Sequence, residues 1–269
     1  MRILSLIFVF LAGPAIAGPL PESLLATVAG ASVVIVGEVH DNPAHHEAQA
    51  KLVQQIAPRA IVFEMLTTAQ AVLVTQDNRA DQALLETALG WADSGWPDFA
   101  MYYPIFAAAP SAEIYGAAVP RDAARDAMQA GIVESFGPDA GAYGLSDPLP
   151  EDQQSAREEL QQTAHCSAMP PEMLPVMVDL QRLRDAVLAR ETLRALDETG
   201  GPVVLITGNG HARRDWGVPA YLASLRPDLN VVTIGQHEDG TGTPGGFDAV
   251  LSAPAVERPD PCEAFRNRG

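Results

Sequence analysis

Two short segments, far apart in the chain, carry matching chemistry. Gly37-Glu38-Val39-His40 follows the apolar run Val33 to Val36, and Gly208-Asn209-Gly210-His211 follows Val203 to Thr207, so each places a histidine three residues after a glycine. A third apolar run, Ile61-Val62-Phe63, ends on Glu64, a carboxylate that is costly to bury without a partner. Glu38 and His40 stand two apart, so in extended chain their side chains leave the backbone on the same side. Two carboxylates and two histidines could ligate a divalent metal with an open position for water, or work as acid and base without one. Singly, each reads more readily as a cap, a loop residue or half of a buried salt bridge than as a functional group. Jointly, at the carboxyl ends of predicted strands, they converge on one cleft.

Other polar residues could support that cleft. Gln181, Arg184 and Asp185 share one helix face at i, i+3 and i+4. Asn209 and Arg213 flank His211, with Arg214 and Asp215 beyond. His165 precedes the longest helical segment, where it either faces the cleft or caps a helix end. Arg121 could neutralise a ligand carboxylate, as charge-assisted arginine contacts do, or pair locally with Asp122 or Asp126.

The elements that must position these groups are legible as punctuation and period. Short β-branched runs at Ser32 to Val36, Ala60 to Phe63, Ile114 to Val119, Val203 to Thr207, Asn230 to Ile234 and, more weakly, Ala249 to Leu251 read as buried strands. Continuous apolar runs, as opposed to alternating ones, suit a parallel sheet covered on both faces. Between them, Asn42-Pro43 makes a cap and first turn for a helix to about Ile56, stopped by Pro58. Thr68 to Ala92 predicts one or two helices, and Arg121 to Val133, Glu151 to Leu160, Pro175 to Leu196 and Pro219 to Leu225 predict one each. The fold class is therefore α/β, a mostly parallel sheet with helices on both faces and a helical insertion lobe within about residues 80–198 of a domain spanning 18–255. In such sheets ligands bind beyond the carboxyl ends of the strands, which is where Glu38, Glu64 and His211 fall. Gly240 to Gly246 reads as a flexible loop, and residues 256–269 as an irregular tail.

The first seventeen residues have the charged start, short apolar run and Ala-x-Ala end of a signal peptide, placing the mature chain, soluble, in an exported, periplasmic compartment. No later run reaches the ~20 residues of a spanning helix. The formal charge is -17 and Lys51 is the only lysine, which argues against nucleic acid and anionic lipid as partners because phosphate binding needs clustered positive charge. Cys166 and Cys262 could form one disulfide tying the tail to the middle of the chain, or Cys166 could be a free thiol beside His165.

The segments "GEVHDNPAHHEAQ", "VFEML", "HCSAMP", "MVDLQRLRDAVLA" and "VLITGNGHARRDWGVPAYL", in that order, resemble the ChaN-like family of haem-binding uptake proteins, related to the Tiki and TraB proteins and more distantly to erythromycin esterases. The resemblance spans about Val33 to Leu222. It implies an α/β core with a helical lobe, haem as ligand in iron acquisition, and a homodimer enclosing two haems. It also implies that His46 and Gln49, which match the family motif, support the site from their helix. Through the Tiki-like branch it implies a second reading, a metal-dependent hydrolase with Glu38, His40, Glu64 and His211 as its site. A family-associated tyrosine ligand maps to Tyr102 or Tyr103 in "WPDFAMYYPIF" or to Tyr143 in "GAYGL", where the first segment could equally be an aromatic lid or core. The lipobox cysteine of better-known members is absent.

Overall fold

Three runs of four residues, Val33–Val36, Ala60–Phe63 and Val203–Ile206, each almost wholly β-branched or aliphatic, lie at the centre of the sheet, because a strand covered on both faces can carry apolar side chains at every position. The computed structural model describes residues 19–242, 244–260 and 262–263. The expected signal peptide, residues 1–17, and the end of the expected tail lie outside the described residues.

The order is α1 (Glu22–Val28), β1 (Val33–Val36), α2 (Pro43–Ile56), β2 (Ala60–Phe63), α3 (Thr68–Ala71), α4 (Gln76–Arg79), α5 (Gln82–Leu89), α6 (Phe99–Ala108) and β3 (Glu113–Gly116). It continues with α7 (Arg121–Ala130), α8 (Ile132–Phe136), α9 (Glu151–Ala164), α10 (Leu174–Thr199), β4 (Val203–Ile206), α11 (Asn209–Ala212), α12 (Val218–Leu225), β5 (Val231–Glu238) and β6 (Ala249–Ala253). The six strands lie in the order β3-β2-β4-β1-β5-β6, and every pairing is parallel. Among the described residues no helix is long and apolar enough to cross a membrane.

Side chains alternate between the faces with the period of two that a strand imposes. Val34, Val36, Ile61, Phe63, Val204 and Ile206 pack under α2, α5 and α6, while Val33, Ile35, Val62, Val203 and Leu205 pack under α10 and α12. The helix after β1 and the helices flanking β4 thus cover opposite faces. Since β4 lies between β2 and β1, a crevice opens above the carboxyl ends of these three strands, the position where open α/β sheets bind ligands.

Several boundaries differ from those predicted. β3 stops at Gly116 because that residue runs against the backbone of the next segment: a Cβ there would stand 2.2 Å from the Thr67 carbonyl oxygen. β5 runs on to Glu238 because its second half pairs with β6, Ile234 opposite Ala249. The stretch from Thr68 to Ala92 breaks into three short helices, capped in turn by Thr67, Thr75 and Asp81, whose side chains accept backbone hydrogen bonds. α2 begins as predicted, Asn42 accepting from the Ala44 amide and Pro43 filling the first turn, and Ala57 ends it in the left-handed region.

Candidate functional site

Glu38 leaves the end of β1 and points inward, its side chain fully buried. A buried carboxylate needs donors for its lone pairs, and Glu38 has them. Its Oε1 accepts from the Tyr102 hydroxyl at 2.9 Å and pairs with His40 Nδ1 at 2.7 Å, and its Oε2 accepts from Gln49 Nε2 at 2.7 Å. His46, from the first turn of α2, donates its Nε2 hydrogen to the His40 carbonyl oxygen at 2.8 Å and holds Nδ1 3.1 Å from Gln49 Oε1 and 3.4 Å from Glu38 Oε2. His45 receives the Val39 amide on Nδ1 and so fixes the Val39–His40 turn. The polar start of α2 is a scaffold for one strand-end carboxylate and the histidine bound to it.

The second half is built at β2 and β4. Glu64 Oε2 accepts from the Thr207 hydroxyl at 2.6 Å and from the Gly208 amide at 2.8 Å, leaving Oε1 3.7 Å from His211 Nε2. His211 Nδ1 lies 2.6 Å from Asp185 Oδ1, delivered by α10. Each histidine therefore has its Nδ1 tied to a buried carboxylate, which fixes the ring and leaves Nε2 for the cleft.

The two glycines explain why the motifs match. A Cβ on Gly208 would stand 3.0 Å from His40 Nε2, and one on Gly37 would stand 2.3 Å from Asn209 Oδ1. Each glycine makes room for the other motif, so the two halves interlock. Asn209 uses that room structurally, clamping β5 through bonds with the Gln236 carbonyl and amide.

Charge follows this geometry. Burial works against a charged His211, but Glu64 and Asp185 outweigh it and push the imidazole up to about 9. For His40 burial again opposes, yet the hydrogen bond to Glu38 and the charges of Glu64 and Glu38 raise it. Burial would lift Glu64, but His211, His40 and the Thr207 and Gly208 hydrogen bonds hold it below its ordinary range. Burial raises Asp185 despite the opposing pull of His211. The site thus favours a cationic His211 beside an ionised Glu64.

These residues border a cleft of about 530 Å³ between the strand ends and α10. His40, Glu64 and His211 form its floor; Met65, Trp96, Val119 and Leu188 supply apolar wall; Arg121, Gln181 and Arg184 lie at its sides. The Trp96 ring stands 5.0 Å from the His40 ring. Neither Arg121 nor Arg184 takes part in an ion pair among the described residues.

The structure brings Glu38, His40, Glu64 and His211 together, with His46, Gln49, Gln181, Arg184 and Asp185 around them. Other assignments need correction. Arg213 turns away to pair with Asp215 and stack on Trp216, 3.5 Å from the ring centroid. His165 caps the end of α9, its Nδ1 bonded to the Gln161 carbonyl, and lines a different cavity. Cys166 and Cys262, by contrast, form the disulfide the sequence offered, and it is the free-thiol alternative that falls away. None of the three tyrosines borders the cleft. Tyr102 is fully buried on Glu38, Tyr103 donates to the Arg79 carbonyl, and Tyr143 packs on Phe136 at 4.7 Å. The divalent-metal expectation finds no support: among the described residues no group of three or more His, Cys, Asp or Glu side chains is placed to hold a metal ion. The oxygens of Glu38 and one oxygen of Glu64 are already engaged by protein donors. Sequence reasoning missed Thr207, whose signal was its place directly before Gly208 at a strand end, and the anchoring role of Tyr102, for which the sequence carries no signal.

The family model described as haem-binding uptake, Tiki superfamily, ChaN, matches residues 24–222. No curated protein matches. A solved structure titled "Cofacial heme binding to ChaN of Campylobacter jejuni" is similar over 85% of this chain and 90% of that chain, at 19% identity and a TM-score of 0.62. The type III effector HopBA1 is similar over 91% of this chain and 97% of that one at 15% identity and a TM-score of 0.43. The erythromycin esterase mutant EreC H289N is similar over 91% and 81%, at 15% identity and a TM-score of 0.43. At these identities the structural likeness describes the fold.

Proposed function

The chain belongs to the haem-binding uptake family of the Tiki superfamily, ChaN, and from that premise we propose that it binds haem in the cleft above β2, β4 and β1. The observation that carries the reading is the cleft itself. Its volume of about 530 Å³ falls in the range of small-molecule sites, and it combines apolar walls with two arginines that lack carboxylate partners among the described residues. Met65, Trp96 and Leu188 suit a flat apolar macrocycle, and Arg121 and Arg184 suit its two propionates.

His40 is the residue placed to meet the iron. Its Nδ1 is occupied by Glu38, its Nε2 has no hydrogen-bond partner among the described residues, and its side chain is 36% exposed. A hydrogen-bonded carboxylate orients an imidazole ligand and raises its basicity. When bound, haem supplies an iron centre whose ligation the protein tunes through this pair. Export, a role in iron acquisition, and a second copy facing the cleft to enclose a pair of haems belong to the same proposal. The cleft is open on the side of Arg121, an exposed residue.

The test is a hemin titration of the purified protein followed at the Soret band. A saturable shift is expected, weakened roughly a hundredfold or more in Arg121→Met and Arg184→Met together, since hydrogen bonds to charged groups contribute about 1.5–3 kcal/mol each. A featureless titration of wild type, or a double variant that binds as wild type does, refutes this assignment of the cleft.

A further inference from the structure

Behind the candidate site, between α9 and α10, lies a second cavity of about 370 Å³. Asp185 forms part of its wall, with the carboxylate already committed to His211, and Gln181 borders both this cavity and the front cleft. Leu160, Ala164 and Val178 line it with apolar surface, and Trp216 presents its indole. At one side stands Arg157, only 6% exposed.

Arg157 differs from its buried neighbours. Arg213, stacked on the same indole, is held by Asp215 through two bonds of 2.6 Å. Arg182 is satisfied by Asp179 and by the Gly144 and Asp147 carbonyls. Arg157 stacks 5.1 Å from the Trp216 centroid but makes one side-chain hydrogen bond, from Nη2 to Gln153 Oε1 at 3.0 Å, and no ion pair; its Nε is buried without a partner. Asp185 and Asp215 act on this guanidinium only from beyond ion-pair distance, so its buried donors lack a carboxylate in contact, which is expensive, and a carboxylate is the group its fork of donors fits best.

We propose that this rear cavity is a binding site for a small amphipathic carboxylate: its anionic head on the Arg157 guanidinium, its apolar body against Trp216, Leu160 and Val178. Arg157 supplies the one cationic fork at the cavity still open to an anion, and the apolar remainder of the wall disfavours an inorganic anion or a sugar acid. The site is distinct from the front cleft and does not depend on what occupies it.

Decanoate is a suitable probe, with decanol as its uncharged counterpart, in calorimetric titrations of the full chain. Wild type is expected to bind decanoate saturably and at least tenfold more tightly than decanol. Arg157→Met should weaken decanoate roughly ten- to a hundredfold, the range for losing a charge-assisted hydrogen bond, and leave decanol unchanged. Ala164→Trp, at an exposed position on the cavity rim, should block both ligands without touching the core, and serves if Arg157→Met does not fold. The proposal is overturned if wild type shows no saturable decanoate binding, if decanol binds as tightly as decanoate, or if decanoate binding survives Ala164→Trp.

Discussion

Replacing Asp185 by Asn should alter the pH dependence of stability in a way that reads out the buried His211 pair. His211 is pushed from an ordinary 6.5 to about 9 by Glu64 and Asp185 acting against burial. A move of that size corresponds to roughly 3 kcal/mol, at about 1.4 kcal/mol per factor of ten in the proton equilibrium. The sign follows from linkage: a raised folded-state value means the folded protein holds its proton more tightly than the unfolded chain. The stabilisation is therefore fully present below pH 6.5 and is lost as pH rises through about 9. Asn keeps the shape and can still accept from Nδ1, but it removes one of the two carboxylates that hold the proton. In urea unfolding the stability of wild type relative to Asp185→Asn should fall by roughly 1.5 kcal/mol between pH 6.5 and pH 9 to 10 as the His211 proton is lost. Titration of the His211 ring by NMR supplies the independent check. A gap that does not change with pH, or a wild-type ring that titrates near 6.5, refutes the reasoning.

Tyr102→Phe removes one donor to the buried Glu38 carboxylate and should cost about 1.5–3 kcal/mol in chemical denaturation. In Gly208→Ala the new Cβ meets His40 Nε2 at 3.0 Å, so hemin affinity should fall; Gly210→Ala, with nothing within 4 Å, should bind as wild type, and equal affinities would contradict the interlocked glycines. Cys166→Ser with Cys262→Ser opens a cross-link between residues 96 apart and should lower stability by about 4.7 kcal/mol in the chain-entropy account, measured as a shift in the urea midpoint.

Much of the frame was legible because its signals are local. Ala60–Phe63 and Val203–Ile206 are β-branched runs with turn residues on either side, and Asn42-Pro43 is a complete helix start in two residues. The convergence of Glu38, Glu64 and His211 followed from strand-end position, a consequence of topology. What the sequence concealed depends on contacts across long separations. α6 is apolar on nearly every face and contains Pro104, so it shows no amphipathic stripe, and its Tyr102 reaches Glu38 across 64 residues. Arg213 and Asn209 stand beside His211 in sequence, but the turn after α11 sends Arg213 to Asp215, and Asn209 is spent on β5. Neighbours in sequence diverge there because the four-residue α11 rotates successive side chains to different sides.

The central claim is that His40 presents its Nε2 to an iron in this cleft. The most direct measurement is the absorption and electron paramagnetic resonance spectrum of hemin-loaded His40→Ala, recorded before and after adding free imidazole, beside wild type. The account predicts that the variant loses the wild-type axial signature and that imidazole restores it. An unchanged signature in His40→Ala would contradict it and would assign the iron to another residue.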